Sequence, residues 1–463
     1  MRFDRLDRAA LLFATALAVI ITAVVVTGNQ AGVQVIHTSP ADHARDVSVR
    51  TQIIFTFGEP MSPAAISEHL SITPPLSGTL QWSGVTAKFV PAQPLQPNIP
   101  YTFTISAGAQ SLSRRAMLNS FSLSFQTSPL RVIYLSPANG SGDLYIRELA
   151  TGSTPLRLTR EPLGVYDYSV SASGSRIVYS VNNISGGRDL WVINTDGNGR
   201  RQLIACDHQM CQSPTWSADG KRIAFERSTM QQGVLGSVPG PAHIWLYDMA
   251  DRTAAPLMNN PQQLGSIPRF APVGDRLMFY DPSAGMITVY DVVSQERVQF
   301  ASVVGDPGAW SPDSNQVIYP DLEASDMGQL TQLLRANLVT NVITPVMPIT
   351  TSNGNDVSVA WSPTGERIAF TRQPAGAASS SGGGLFGPQV WVGTWYGTQV
   401  HALTQPGLNS YGGLAFSPDG QWIVAVRNRV QEPDSQPEVW LIRSDDGQLS
   451  RLAVNATIPA WVP

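Results

Sequence analysis

An all-β chain is predicted, with a β-sandwich followed by a seven-bladed β-propeller and one N-terminal transmembrane helix ahead of both. Three observations carry that expectation. An uncharged apolar run from Ala9 to Val26 follows Arg2, Arg5 and Arg8. Alternating apolar strands punctuated by Pro, Gly and Ser fill residues 34–128. From about residue 130 onward, an apolar anchor followed by a Ser-Pro-Asp-Gly-like turn recurs at intervals of about 40 to 55 residues, the mark of a repeat architecture.

The first element, residues 1–28, is expected to be a cytoplasmic stub and membrane anchor. At about 1.5 Å per residue its apolar run spans about 27 Å, close to the hydrocarbon thickness of a bilayer. The arginines place the N-terminus in the cytoplasm and both β domains outside it. A cleaved signal peptide is the alternative. Its apolar region is ordinarily shorter and ends at an A-x-A-like site, whereas Val26-Thr27-Gly28 is a poor one.

Residues 34–128 contain Gln52–Phe57, Lys88–Val90, Tyr101–Ile105 and Phe121–Phe125 as strand candidates, with turn clusters between them, which reads as a sandwich. Ser39-Pro40-Ala41-Asp42, Phe57-Gly58-Glu59-Pro60-Met61, Phe89-Val90-Pro91, Tyr101-Thr102-Phe103-Thr104 and Phe125-Gln126-Thr127 resemble the bacterial Ig-like domain of the SbsA type. The resemblance implies a spacer or adhesion module, holding the propeller away from the membrane.

Residues 130–463 carry the repeat. Complete copies are Trp216-Ser217-Ala218-Asp219-Gly220, Trp310-Ser311-Pro312-Asp313, Trp361-Ser362-Pro363-Thr364-Gly365 and Phe416-Ser417-Pro418-Asp419-Gly420, with degenerate ones at Val170 and Phe270 and a last anchor at Trp461. Every anchor but the last has an aliphatic residue seven positions on: Ile177, Ile223, Leu277, Val317, Ile368 and Ile423. Proline pre-sets the turn and glycine takes its left-handed position, so the anchor strand reverses into a second strand. A third strand has a bulky centre, as in Leu190-Trp191-Val192 or Val439-Trp440-Leu441, and a short fourth one closes the blade. Segment 131–160 lacks a first strand, and Ile458–Trp461 is a first strand with nothing after it. Pairing the two closes the ring and removes exposed sheet edges. These W-S-P-D-G, I-A-F and I-W cores resemble the TolB-like propeller, also called the PD40 or WD40-like repeat, although the Gly-His and Trp-Asp dipeptides of true WD40 repeats are missing. The resemblance implies a binding platform or an accessory domain of a peptidase.

Composition narrows the function. Net charge is −4, charged residues make up 14%, and no basic run occurs, which argues against nucleic acid. No H-E-x-x-H, P-loop, dinucleotide fingerprint or nucleophile elbow is present, so no catalytic residue is assigned and the chain is not expected to be an enzyme. Cys206 and Cys211 flank His208; a disulfide, free thiols and a metal site are all open, the last weakened by the lack of a fourth ligand. No cofactor or metal is assigned.

The insertions at 228–242, 320–331, 373–388 and 428–437 fall in the links between second and third strands, and so on one face. Loops on a rigid scaffold commonly carry function, and this face is the expected binding surface. Asp167, Asp306 and Asp356 precede first strands that should line the channel, with Tyr166, Tyr168, Tyr411 and His208 beside them. If they converge at its mouth, they offer a site for a cation or a basic ligand group; alternatively, they simply make turns. The expected function is a membrane-anchored extracytoplasmic scaffold that binds a protein, peptide or cell-surface glycan. The alternative is a hydrolase or lyase using acids at the channel mouth.

Overall fold

The computed structural model describes residues 13–20, 22, 32–150, 152–233, 236–260, 262–325, 328–348, 354–374, 387–432 and 434–463. The chain divides into two domains, Met1–Ser128 and Pro129–Pro463. Residues 13–20 and 22 are helical, and Thr22 Oγ1 donates to the Ala18 carbonyl one turn back. The remainder of the expected anchor lies outside the described residues. Among the described residues no helix is long and apolar enough to cross a membrane.

The first domain is a sandwich of two four-stranded sheets. One has Val35–Ser39, Ile53–Phe57, Thr86–Pro91 and Gly78–Ser83 in spatial order; the other has Ala44–Val47, Phe121–Thr127, Pro100–Ile105 and Leu70–Thr73. Alternation along the strands sends Ile53, Phe55 and Phe57 inward to meet Phe89, Phe103, Leu123 and Phe125. A helix, Pro63–His69, is added to the expected plan. Ser62 caps it by accepting from the Ala65 amide, and proline stands at its start.

In the second domain the strands group into seven four-stranded antiparallel modules among the described residues. Module one is built from Arg131–Ser136, Asp143–Glu148 and Leu156–Arg157, and its innermost strand is the C-terminal Thr457–Trp461. Modules two to seven run in chain order, with first strands Val165–Val170, Gln209–Trp216, Ser266–Phe270, Ala309–Trp310, Gly354–Trp361 and Asn409–Phe416. One parallel bridge, Arg188 to Met210, links modules two and three.

Register explains the spacing of the repeat. Each anchor lies directly across from the residue seven positions on: Val170 and Ile177, Trp216 and Ile223, Phe270 and Leu277, Trp310 and Val317, Trp361 and Ile368, Phe416 and Ile423. For Trp461 the same partner comes from the other end of the domain, Val132. Three of the anchors are also stitched to the preceding module. The indole N–H groups of Trp310, Trp361 and Trp461 donate to the carbonyls of Arg269, Ala309 and Ala415 at 3.0, 3.1 and 3.0 Å. Each acceptor stands one residue before the previous module's anchor, so one hydrogen bond fixes the spacing between sheets. In the turn that follows, the serine hydroxyl donates to the aspartate two residues on and accepts the amide that opens the second strand, as at Ser217, Ser311 and Ser417.

Two insertions differ from the loops expected of their composition. Arg222–Gly233 pairs with Gly236–Asp248, and Gln316–Ser325 with Gly328–Asn337, each continuing its module's second and third strands into a long β-ribbon. The pairing propagates outward from the module because every added residue completes hydrogen bonds that the previous pair has already aligned. Residues 375–386 of the third insertion lie outside the described residues.

Candidate functional site

The first strands form the inner ring: those of neighbouring modules contact one another, and Thr457–Trp461 touches both Val165–Val170 and Asn409–Phe416. Most carry a bulge just before the anchor. Ser213, Ile267, Ser358, Gly413 and Ile458, each three residues ahead of an anchor, all have positive φ, and the ladder shifts register there. A bulge leaves backbone groups without ladder partners. At Ser213 and Ile267 nearby acids supply them.

Asp167 accepts from the Ser213 amide of the next module at 2.7 Å and from the Ser180 hydroxyl of its own. Glu226 repeats the device one module on, accepting from the Ile267 amide at 2.7 Å and from Gln212 at 3.0 Å. Arg188 completes the cluster; its guanidinium donates to Gln212 and stacks 3.3 Å above the exposed ring of Tyr166. Burial pushes the Asp167 carboxyl up to about 6, opposed by its hydrogen bonds to Ser180 and Ser213 and reinforced by the neighbouring charge of Glu226.

The other two candidate aspartates have different occupations. Asp356 forms a two-pronged ion pair with Arg372 at 2.6 and 2.7 Å, both side chains almost wholly enclosed. Asp306 accepts from Arg269 at 3.3 Å and from the Gly308 amide at 2.9 Å. Each of the three therefore has its own partners: the acid beside Asp167 is Glu226, and arginines reach Asp306 and Asp356. Among the described residues no group of three or more His, Cys, Asp or Glu is placed to hold a metal ion.

The aromatic candidates divide as well. Tyr168 is a joint, its hydroxyl donating to the carbonyls of Ile133 at 2.8 Å and Ile458 at 2.6 Å, which ties module two to the closing strand pair. Tyr411 is buried, with its hydroxyl pKa raised by burial against the pull of Arg427. His208 is exposed and its Nδ1 meets the Ser185 carbonyl at 2.9 Å. It lies in a small loop closed by the Cys206–Cys211 disulfide, both cysteines being buried.

Glu226, Arg188 and Gln212 do not stand out in the sequence. A signal for another group exists there: an arginine stands eleven residues after the anchor in modules three, six and seven, as Arg227, Arg372 and Arg427. Each stacks on the third-strand tryptophan, Trp245, Trp391 or Trp440, at 4.5, 5.0 and 3.9 Å.

Residues 29–127 match the family model described as a bacterial Ig-like domain. Among curated proteins, the Tol-Pal system protein TolB of Anaeromyxobacter sp. (strain K) is 28% identical over 152 residues, which is 32% of this chain and 29% of that protein. The chain pairs a bacterial Ig-like domain with a TolB-like propeller. The match spans less than a third of the curated relatives' length; that of Anaeromyxobacter dehalogenans gives the same figures. Among solved structures, a study of two prolyl endopeptidases includes a chain with a TM-score of 0.51 at 13% identity, covering 86% of this chain and 52% of that one, a likeness of fold. TolB from Acinetobacter baumannii aligns with a TM-score of 0.44 at 13% identity, over 93% of this chain and 99% of that one.

Proposed function

We propose that the protein is a binding scaffold outside the cytoplasm, a seven-bladed propeller that engages a protein partner through its ribbon-bearing face. The apolar run from Ala9 to Val26 serves as its tether, and the Ig-like domain as the spacer next to it in sequence. One observation carries the reading: two of the insertions form ordered ribbons that continue their modules' strands, while Asp306, Asp356 and Glu226 are held in ion pairs and backbone contacts. Acids so engaged brace a module or join it to its neighbour, and are poorly placed to exchange protons with a substrate. Ribbons instead offer a pre-formed surface whose ordering cost is met before a partner arrives. The name of the curated relatives, proteins of a Tol-Pal system, supports a protein as the partner.

The test is affinity capture from solubilised membranes. Full-length protein is compared with variants in which residues 229–241 and 322–331 are each replaced by a two-residue Asn-Gly turn. The reading predicts a specific partner that is lost on trimming while the melting temperature is kept; capture unaffected by both trims contradicts it. The tether is checked by alkaline extraction, with the protein staying in the membrane pellet, and release into the supernatant contradicts it.

A second reading, a hydrolase or lyase, rests on Asp167, whose raised pKa and acidic neighbour Glu226 make a proton-holding group beside a charged one. It predicts turnover on glycan or peptide libraries that Asp167→Asn abolishes. Turnover that survives this change excludes the pair.

A further inference from the structure

The repeat supplies its own control for one side chain. Arg227, Arg372 and Arg427 occupy the same register position, each flanked by one residue of the first strand and one of the third. The flanking pairs are Cys211 and His243, Asp356 and Gln389, and Tyr411 and Glu438. Module six thus supplies a carboxylate from its first strand, and module seven supplies one from its third, where Glu438 also accepts from Trp440 at 2.9 Å and from Arg451 at 3.1 Å. Module three supplies neither. Cys211 is consumed by its disulfide, and His243 Nδ1 lies 3.0 Å from the Gln263 carbonyl. Arg227 is left with Gln209, to which its Nε donates at 2.5 Å, and with the face of Trp245. Among the described residues no carboxylate forms an ion pair with it.

That arginine lines a cleft of about 680 Å3 at the root of the first ribbon, within the size range of ligand pockets. Gln209, Gln231 and Gln262 bring amides to the walls, and Ser228 and Thr229 bring hydroxyls. The titratable lining groups are Arg227 and His243, with no acid among them. Burial lowers the Arg227 pKa, and no neighbouring charge offsets it. A half-buried guanidinium without a counter-ion is costly to the fold and is relieved by any anion that fits its fork. Amides that both donate and accept suit the main chain of a peptide. A sugar ring would need an open, broad aromatic face, and the one Trp, Tyr or Phe of the lining, Trp245, has Arg227 across it.

We propose that this cleft receives an acidic segment of a partner protein, whose carboxylate pairs with Arg227 in the place that Asp356 and Glu438 fill in modules six and seven. This rests on the scaffold reading and locates its contact.

The experiment uses full-length protein and fluorescent dodecapeptides rich in Asp and Glu, with Asn and Gln counterparts of the same sequences, followed by anisotropy. The acidic set is expected to bind, and the amide set to bind at least about ten-fold more weakly, as loss of a charged hydrogen-bonded pair implies. Arg227→Gln is expected to weaken the acidic set by about ten- to a hundred-fold. Thr229→Glu, at an exposed lining position, is expected to do the same by placing a competing acid in the cleft, which covers the case of Arg227→Gln failing to fold. Arg427→Gln is expected to leave affinity unchanged. Equal binding of acidic and amide peptides, full affinity in Thr229→Glu, or binding of a polyuronate oligosaccharide in place of the peptides overturns the proposal. If the peptides fail while ribbon trimming still abolishes partner capture, this inference falls alone; if trimming has no effect, the scaffold reading falls with it.

Discussion

Asp356 and Arg372 are enclosed together, so removing one charge strands the other in a poorly solvated site. Asp356→Asn is expected to cost about 3–5 kcal/mol in urea unfolding, while Asp356→Leu with Arg372→Met recovers most of it, since an apolar pair of similar volume needs no compensation. Asp167 has the opposite electrostatics. Its carboxyl is raised from 3.8 to about 6, so the folded state holds that proton more tightly than the unfolded one. Stability tied to this group falls as pH rises from the unfolded value through about 6, and the penalty is complete above that window. Asp219 and Asp313 in the turns run the other way. Burial opposes them, but hydrogen bonds from Ser217 and the Lys221 amide, and from Ser311 and Asn315, bring their pKa values below the ordinary one. Their contribution is present above the unfolded value and is lost in acid. Melting temperatures of wild type and Asp167→Asn from pH 3 to 8 separate the two effects. The variant should lose the decline between pH 4 and 6 and keep the acid limb; parallel curves in that window contradict the assignment.

At the scale of elements, the small loop closed by Cys206 and Cys211 pins the entry to module three, and removing the bond with Cys206→Ser is expected to cost about 2 kcal/mol by loop-closure entropy. Unchanged stability on denaturant unfolding would mean that the loop is held by its hydrogen bonds alone. The strand pairs of the modules were legible in the sequence because anchor and partner are seven residues apart across a fixed turn, a purely local relation. The ribbons were not. Gln231, Gln232 and Gly233 facing Val238, Ser237 and Gly236 have the composition of a loop, and the alignment of the strands beneath them decides their pairing. The helix Pro63–His69 announces itself only by Ser62 and Pro63, being too short to show a period. The site was half legible: the acids stood out by residue type, but their partners come from across the ladder or the next module. Arg372 is sixteen residues from Asp356, and Ser213 lies in the module after Asp167.

For the propeller domain as a whole, everything rests on the ring being closed by strand Thr457–Trp461 against Arg131–Ser136. Trp461 fills the gap to module seven with Val132, Tyr134 and Val439, and Tyr168 bonds to carbonyls on both sides of the seam. A closed ring explains how modules with two apolar faces remain ordered, and why ribbons can project from them without loosening the sheet. Emptying one wedge by Trp310→Ala is expected to cost about 3–5 kcal/mol. Unfolding that remains a single cooperative step would show the modules acting as one body. The decisive measurement is amide hydrogen exchange of Arg131–Ser136 in the full chain and in a variant ending at Ala456. Strong protection in the full chain, lost together in the truncated one with added exposure at Val165–Val170 and Asn409–Phe416, is the expected result. Equal protection in the two would mean that the strand pairing at the seam does not hold the ring, and the scaffold built on it would have to be abandoned.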